Sequence, residues 1–488
     1  MHTVLHREHA GGVRLALDAL FKQGFAQAFA GGLFASNGAR LDITGPVTAA
    51  PGQMVTTRAG NVRFSNDPAV SGTPSDYDYF YNQNAVVTLG ANNALSTRAI
   101  VDIGSVSTAS FDLNGYSQTI GALTRVAAQT ATVTNTAGAL STLTINVAAN
   151  DGGILTGDWN YAGQIIGNLA LVKSGAGIQL LSGANFYTGG TTVNGGTLRM
   201  GNVNALGGDT GFNGALTVNG GTLDIFGVGN AAIGTLSGSG GAISDSGLFS
   251  GSSVVSTYSL ADSAYAGAIN DGAYRSLSLY KDGTSILTLT GASNYTGVTK
   301  VFEGAVRLGS NAGLGSAVGA TVVSSGAAVQ VSGNIVSNEP FTVSGTGLSA
   351  TSGVLQNLSG DNTLSGAITV TTASRFGSDA GTLTLGGALT ATNLELAFGG
   401  AGNVVVSGAM SLGTAGVTKD GLGTLTLSGT NTYAGATAVT AGALRIANAA
   451  ALGTTSSLVV TAGAARQIAG GVTYVGVAAT TPILQNIS

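Results

Sequence analysis

The chain has 488 residues, of which 79 are glycine and only 8% are charged; it lacks cysteine and carries a formal net charge of −4. Ordinary domains hold about 7% glycine and about 25% charged residues, so a set of conventional charge-coated globules is a poor description. Disulfides and thiolate metal sites are excluded, and the absence of clustered Lys and Arg leaves no electrostatic footprint for nucleic acid or anionic lipid.

Residues 1–60 form an N-terminal segment with two readings. His2, His6, Arg7, His9 and Arg14 precede an apolar stretch from Leu15 to Phe34, and Ala26-Gln27-Ala28 has the small-residue form of a signal-peptide cleavage site. Asp18 and Lys22 interrupt that stretch, while Leu17, Leu20, Phe21, Phe25 and Phe29 recur at helical spacing. The segment therefore reads either as a degenerate signal or as a short amphipathic helix capping the body that follows. No uninterrupted apolar run reaches the roughly 18 residues of a membrane-spanning helix.

The next feature is the aromatic and acidic cluster Asp76, Tyr77, Asp78, Tyr79, Phe80 and Tyr81. Rings and carboxylates together are what a sugar-binding loop offers, so Asp76, Tyr77, Asp78, Tyr79 and Tyr81 are candidate ligand contacts. The alternative is a surface loop packing its rings on the neighbouring chain.

From residue 61 onward the sequence is repetitive. Three segments, 173–207, 281–315 and 419–453, align without a gap. They share Lys173/Lys281/Lys419, Leu181/Leu289/Leu427, Tyr187/Tyr295/Tyr433, Val193/Val301/Val439 and a closing Leu-Gly pair. A shorter period lies inside: Val193 to Leu198 returns as Val218 to Leu223, 25 residues on, and Val439 to Ala443 returns as Val460 to Ala464, 21 residues on. Leu287-Thr288-Leu289-Thr290 and Leu425-Thr426-Leu427-Ser428 alternate apolar and hydroxyl residues, the period of a half-buried strand. Gly and Asn mark the turns. A repeat of 21–25 residues holds three short strands and three turns, so residues 61–488 are expected to form an all-β, parallel β-helix (β-solenoid), right-handed by the usual crossover rule. The shared lysines are read as solvent-facing turn residues. The shared tyrosines are read as packing elements over a strand-end glycine.

These repeats resemble the autotransporter-associated β-strand repeat, also called the passenger-associated transport repeat. The match rests on Gly423 to Tyr433, then Gly435, Val439 and Gly442 to Arg445; Asp112 to Ile120 resembles flanking text of such proteins. The resemblance implies a passenger at the bacterial outer-membrane surface or secreted, exported through an outer-membrane β-barrel translocator, with repeats that assist secretion and folding. No C-terminal β-barrel pattern is visible in these residues. Pro482 to Ser488 matches Gly353 to Ser359 and stops where the earlier copy runs on, so a continuation is expected.

Catalytic machinery is not expected. The histidines are His2, His6 and His9, there is no G-x-S-x-G, and neither a calcium β-roll motif nor a phosphate loop occurs. Asp282 and Asp420 recur with the repeat, as a turn role requires, and Ser174 replaces them in the first copy. The expectation is a non-enzymatic stalk or adhesin-like module with no cofactor, facing a carbohydrate or host surface and able to self-associate through open strand edges. The alternative is a polysaccharide-acting lyase or hydrolase on the same fold, with its groove near residues 67–81 or 241–275.

Overall fold

The computed structural model describes residues 13–15, 33–34, 40–49, 54–104, 109–125, 131–149, 159–208, 214–469 and 484–487. The histidines and most of the apolar stretch with helical spacing lie outside them. The chain divides into two compact units, residues 1–234 with 241–243, and residues 235–240 with 244–488.

Each unit is a β-solenoid in which like strands of successive coils pair in parallel. In the first unit, Ser141–Asn146 pairs with Leu169–Ser174, which pairs with Thr191–Val193 and then Leu216–Val218. In the second, one ten-stranded sheet runs from Ser263–Tyr265 to Leu458–Val460 and an eight-stranded sheet from Val336–Ser337 to Leu484–Ile487. A third face runs from Gly251–Tyr258 to Met410–Ser411. The coil length varies because insertions are absorbed in turns: Thr424 pairs with Ala443, whereas Ser141 pairs with Leu169. Between these extremes Asp361, Thr382, Asn403 and Thr424 pair in sequence at a constant 21 residues.

The core follows from strand alternation. In Thr424–Leu427 and Ile286–Leu289 the leucines are buried and the residues between them half-buried. Parallel stacking then aligns inward residues of neighbouring coils, as in Leu383, Val404, Leu425 and Leu444.

Polar side chains continue the ladder where a row is not apolar. Arg307 Nε and Nη2 donate to Gln330 Oε1 at 3.1 and 2.9 Å, Gln330 Nε2 to Gln356 Oε1 at 3.0 Å, and Gln356 Nε2 to Asp379 Oδ2 at 2.8 Å. A cation and a carboxylate thus close the two ends of a run of amides across four successive coils.

One expectation is corrected. Lys173, Lys281 and Lys419 are not solvent-facing: all three are buried, at 0%, 0% and 1% exposure. Each sits in an inward row, Lys173 between Ile145 and Val193 and Lys419 between Phe398 and Val439. Strand parity is the cause. Leu169, Leu171 and Lys173 point the same way, as do Leu277, Leu279 and Lys281.

Candidate functional site

The three aligned segments build the same internal lock. A buried ammonium is costly unless its donors are satisfied, and here each Nζ faces three backbone carbonyls. Lys173 donates to Ser174 O (2.6 Å), Gly175 O (3.0 Å) and Gly195 O (3.1 Å). Lys281 donates to Asp282, Gly283 and Glu303, and Lys419 to Asp420, Gly421 and Ala441. In each set the third carbonyl belongs to the following coil, so the ammonium ties two coils together. Burial pushes all three ammonium groups down to about 8.

The tyrosines complete the lock as packing elements over glycine. Tyr187, Tyr295 and Tyr433 have no exposed surface, and their hydroxyls hydrogen-bond the Oγ1 of Thr191, Thr299 and Thr437 at 2.5, 2.6 and 2.8 Å. Burial raises the hydroxyls of Tyr187 and Tyr295 above the ordinary tyrosine range. The closing glycine lies against them. Gly207 and Gly315 have φ of 70° and 80°, and a Cβ there would come within 2.6 and 2.5 Å of the Tyr187 and Tyr295 carbonyl oxygens. Both backbone sign and space therefore demand glycine.

A third component escaped the reading of the sequence. Two residues before the tyrosine, Asn185 accepts from Ile165 N (2.8 Å) and donates to Ala205 O (2.7 Å); Asn431 accepts from Met410 N and donates to Ala451 O. Each bridges the preceding and following coils. The middle copy has Ser293, which accepts from Ile269 N at 3.1 Å. The residue is not identical across the three copies, so it stood out less than its neighbours.

The candidate ligand contacts near residue 76 have assigned places. Tyr77 is fully buried, its ring 6.2 Å from Phe80. Asp76 and Asp78 both take ion pairs from Arg98 Nη2, at 2.9 and 3.2 Å. Tyr79 donates to Asp102 Oδ2 at 3.0 Å, and burial with that carboxylate raises its hydroxyl. Tyr79 and Tyr81 alternate with buried Phe80 and Asn82 on one strand and remain half-buried. Elsewhere, Arg275 Nε pairs with buried Asp245 Oδ2 at 2.8 Å inside the 241–275 segment. Burial pushes the Glu339 carboxyl up to about 7, beside the Thr321 hydroxyl that donates to it at 2.9 Å. Among the described residues no group of three His, Cys, Asp or Glu could hold a metal ion, and no helix is long and apolar enough to cross a membrane.

The Passenger-associated-transport-repeat pattern matches residues 171–200, 205–225, 279–308 and 417–446. Three of these are the lysine-led segments. The fourth contains Val218 to Leu223, the echo of Val193 to Leu198. The chain is also 27% identical over 300 residues to the adhesin BmaC autotransporter of Brucella suis biovar 1 (strain 1330), covering 60% of this chain and 8% of that protein. The chain thus spans a small part of the relative it matches. No solved structure matches it. Four repeat matches thus fall on the stacked coils, and the chain is a β-solenoid that carries passenger-associated-transport repeats and is similar to part of an autotransporter adhesin.

Proposed function

We propose that the chain works outside the cell, at the bacterial outer-membrane surface or released from it, as a stalk of an adhesin-type passenger. The observation that carries this reading is the repeat lock. Three of the four passenger-associated repeat matches coincide with coils tied by the same buried Lys and Tyr, which is the provision a long shaft needs to hold its coils in register without disulfides. In the full-length protein its export partner is an outer-membrane β-barrel translocator. Its contribution is spacing and contact, not turnover. The carboxylates flagged in the sequence support this, since Asp76 and Asp78 are held by Arg98 and Asp420 by Arg375.

The test is to express the gene with its translocator in a Gram-negative host, then treat intact cells with protease and with antibody against this chain. The expected result is antibody labelling of intact cells and loss of the labelled band on shaving. A folded, protease-protected chain inside cells whose barrel is inserted would overturn the proposal.

A further inference from the structure

The three locked repeats share their interior but not their outward face, and the difference is concentrated in the middle copy. Immediately before the buried lysine, facing out, stand Val172, Tyr280 and Thr418. Flanking the buried valine of the next coil, also facing out, stand Thr192 and Asn194 in the first copy, Lys300 and Phe302 in the second, and Ala438 and Thr440 in the third. Two copies thus show small or hydroxyl residues where the middle one shows two rings and an ammonium.

Parallel register gathers these residues. Ser256, Tyr280, Lys300 and Val322 form one outward row over four coils. Tyr258 lies opposite Asp282 in the adjoining row, and Phe302 follows it, its N–H bonded to Lys281 O. The Tyr280 and Phe302 rings stand edge to face at 5.7 Å and 86°, and Lys300 Nζ lies 5.0 Å from the Tyr280 centroid. Tyr258 is 39% and Phe302 41% exposed. Rings that would bury readily in an apolar core are held here on the solvent side of a strand, braced by their neighbours.

From this patch we infer a carbohydrate-binding site for neutral sugars, made by Tyr258, Tyr280 and Phe302 with Asp282 and Lys300 at its margin. Aromatic rings carry negative faces that suit the weakly positive C–H faces of a pyranose. Asp282 and Lys300 supply an acceptor and a donor for ring hydroxyls. Charge decides the class of glycan. The patch is mainly ring surface, which an uncharged pyranose covers without desolvating a charge of its own, whereas a sialylated or sulfated chain would bring its anion beside Asp282. The inference deepens the surface-adhesin reading and rests on it only for its biological setting, because the binding itself is a property of the isolated chain.

The third copy supplies a variant with a built-in control for folding. Tyr280→Thr, Lys300→Ala and Phe302→Thr together give the middle repeat an outward face that the third repeat already tolerates. Purified whole chain, wild type and triple variant, is applied to an array of cello-, laminari- and chito-oligosaccharides beside sialylated and sulfated glycans, with thermal unfolding and sedimentation measured in parallel. The expected result is binding to at least one neutral series, weakened about tenfold or more in the triple variant, with unchanged unfolding. Binding to no neutral glycan, equal binding by the variant, or preference for acidic glycans would each overturn the site. A shift from dimer to monomer in the variant, without glycan binding, would overturn it in favour of contact with a second copy. Failure of surface display would leave these readings intact, so the two proposals fall separately.

Discussion

Replacing Lys281 with Met keeps the length and apolar stem of the side chain and removes its three donors. The carbonyls of Asp282, Gly283 and Glu303 then lose the ammonium that satisfies them. Hydrogen bonds from a charged donor contribute about 1.5–3 kcal/mol each, and a buried polar group left unpaired costs about 1–3 kcal/mol. Against that loss stands relief of the buried charge. A group held at about 8 in the folded chain and 10.5 unfolded carries a charge cost of about 3 kcal/mol at neutral pH. The balance is a net destabilisation of about 2–4 kcal/mol at pH 7. The pH dependence separates the terms. Because the folded value lies below the unfolded one, the unfolded chain binds more protons between pH 8 and 10.5, so wild-type stability rises with pH through that window. From pH 7 to about 9.5 the rise for one lysine is about 2 kcal/mol, and Lys281→Met loses it. The gap between wild type and variant therefore widens on going alkaline. Urea unfolding followed by far-ultraviolet circular dichroism at both pH values measures it. A variant as stable as wild type at pH 7, with a gap that does not change with pH, would refute the three-carbonyl account.

Gly315→Ala should destabilise by about 2–4 kcal/mol, because φ is 80° and the new Cβ would lie 2.5 Å from the Tyr295 carbonyl. Gly326→Ala, at φ 86° with nothing within 4 Å, should cost only about 1 kcal/mol; equal melting shifts would show that crowding over the tyrosine is unimportant. Asn431→Ala loses bonds to Met410 N and Ala451 O and should cost about 2–4 kcal/mol, with Asn431→Ser retaining part of it as Ser293 does; amide hydrogen exchange at Met410 should accelerate in both, more in the alanine variant. Arg275→Ala leaves the Asp245 carboxylate, 0% exposed, without that guanidinium and should cost about 3–5 kcal/mol at neutral pH. Urea unfolding at pH 7 measures the loss, and a midpoint equal to that of wild type would refute it.

Periodicity carried most of the architecture. Leu-Thr alternation, the recurring Val-x-Gly-Gly phrases and the Leu-Gly closures are enough to place coils, turns and inward leucines, and the rings of Tyr187 and Tyr295 do lie against Gly207 and Gly315. The lysines were misread for an instructive reason. Charge points outward but parity decides: Leu169-x-Leu171-x-Lys173 puts the lysine on the core side. What no pattern could supply was the acceptor set: backbone carbonyls carry no letter in the sequence, and one of the three comes from a different coil. The same holds near residue 76, where Arg98, one coil further on, engages both Asp76 and Asp78. A cluster of letters shows composition but not the ion pairs its carboxylates make. The inter-coil asparagines were hidden by the Ser293 exception, and the exposed rings of the middle repeat by the search for identities, since they occupy positions where the copies differ.

The amide run between Arg307 and Asp379 behaves like a line of compass needles. The guanidinium draws the oxygen of Gln330 toward itself, which turns that amide's nitrogen to Gln356, whose own nitrogen then faces the carboxylate. Neither amide can reverse alone without setting oxygen against oxygen or nitrogen against nitrogen. Orientation is therefore one shared choice, written by the charges at the two ends and carried through side chains that are themselves neutral. Exchanging the ends would turn both needles together and leave the line intact, whereas inverting only one end would leave them pulled in opposite senses.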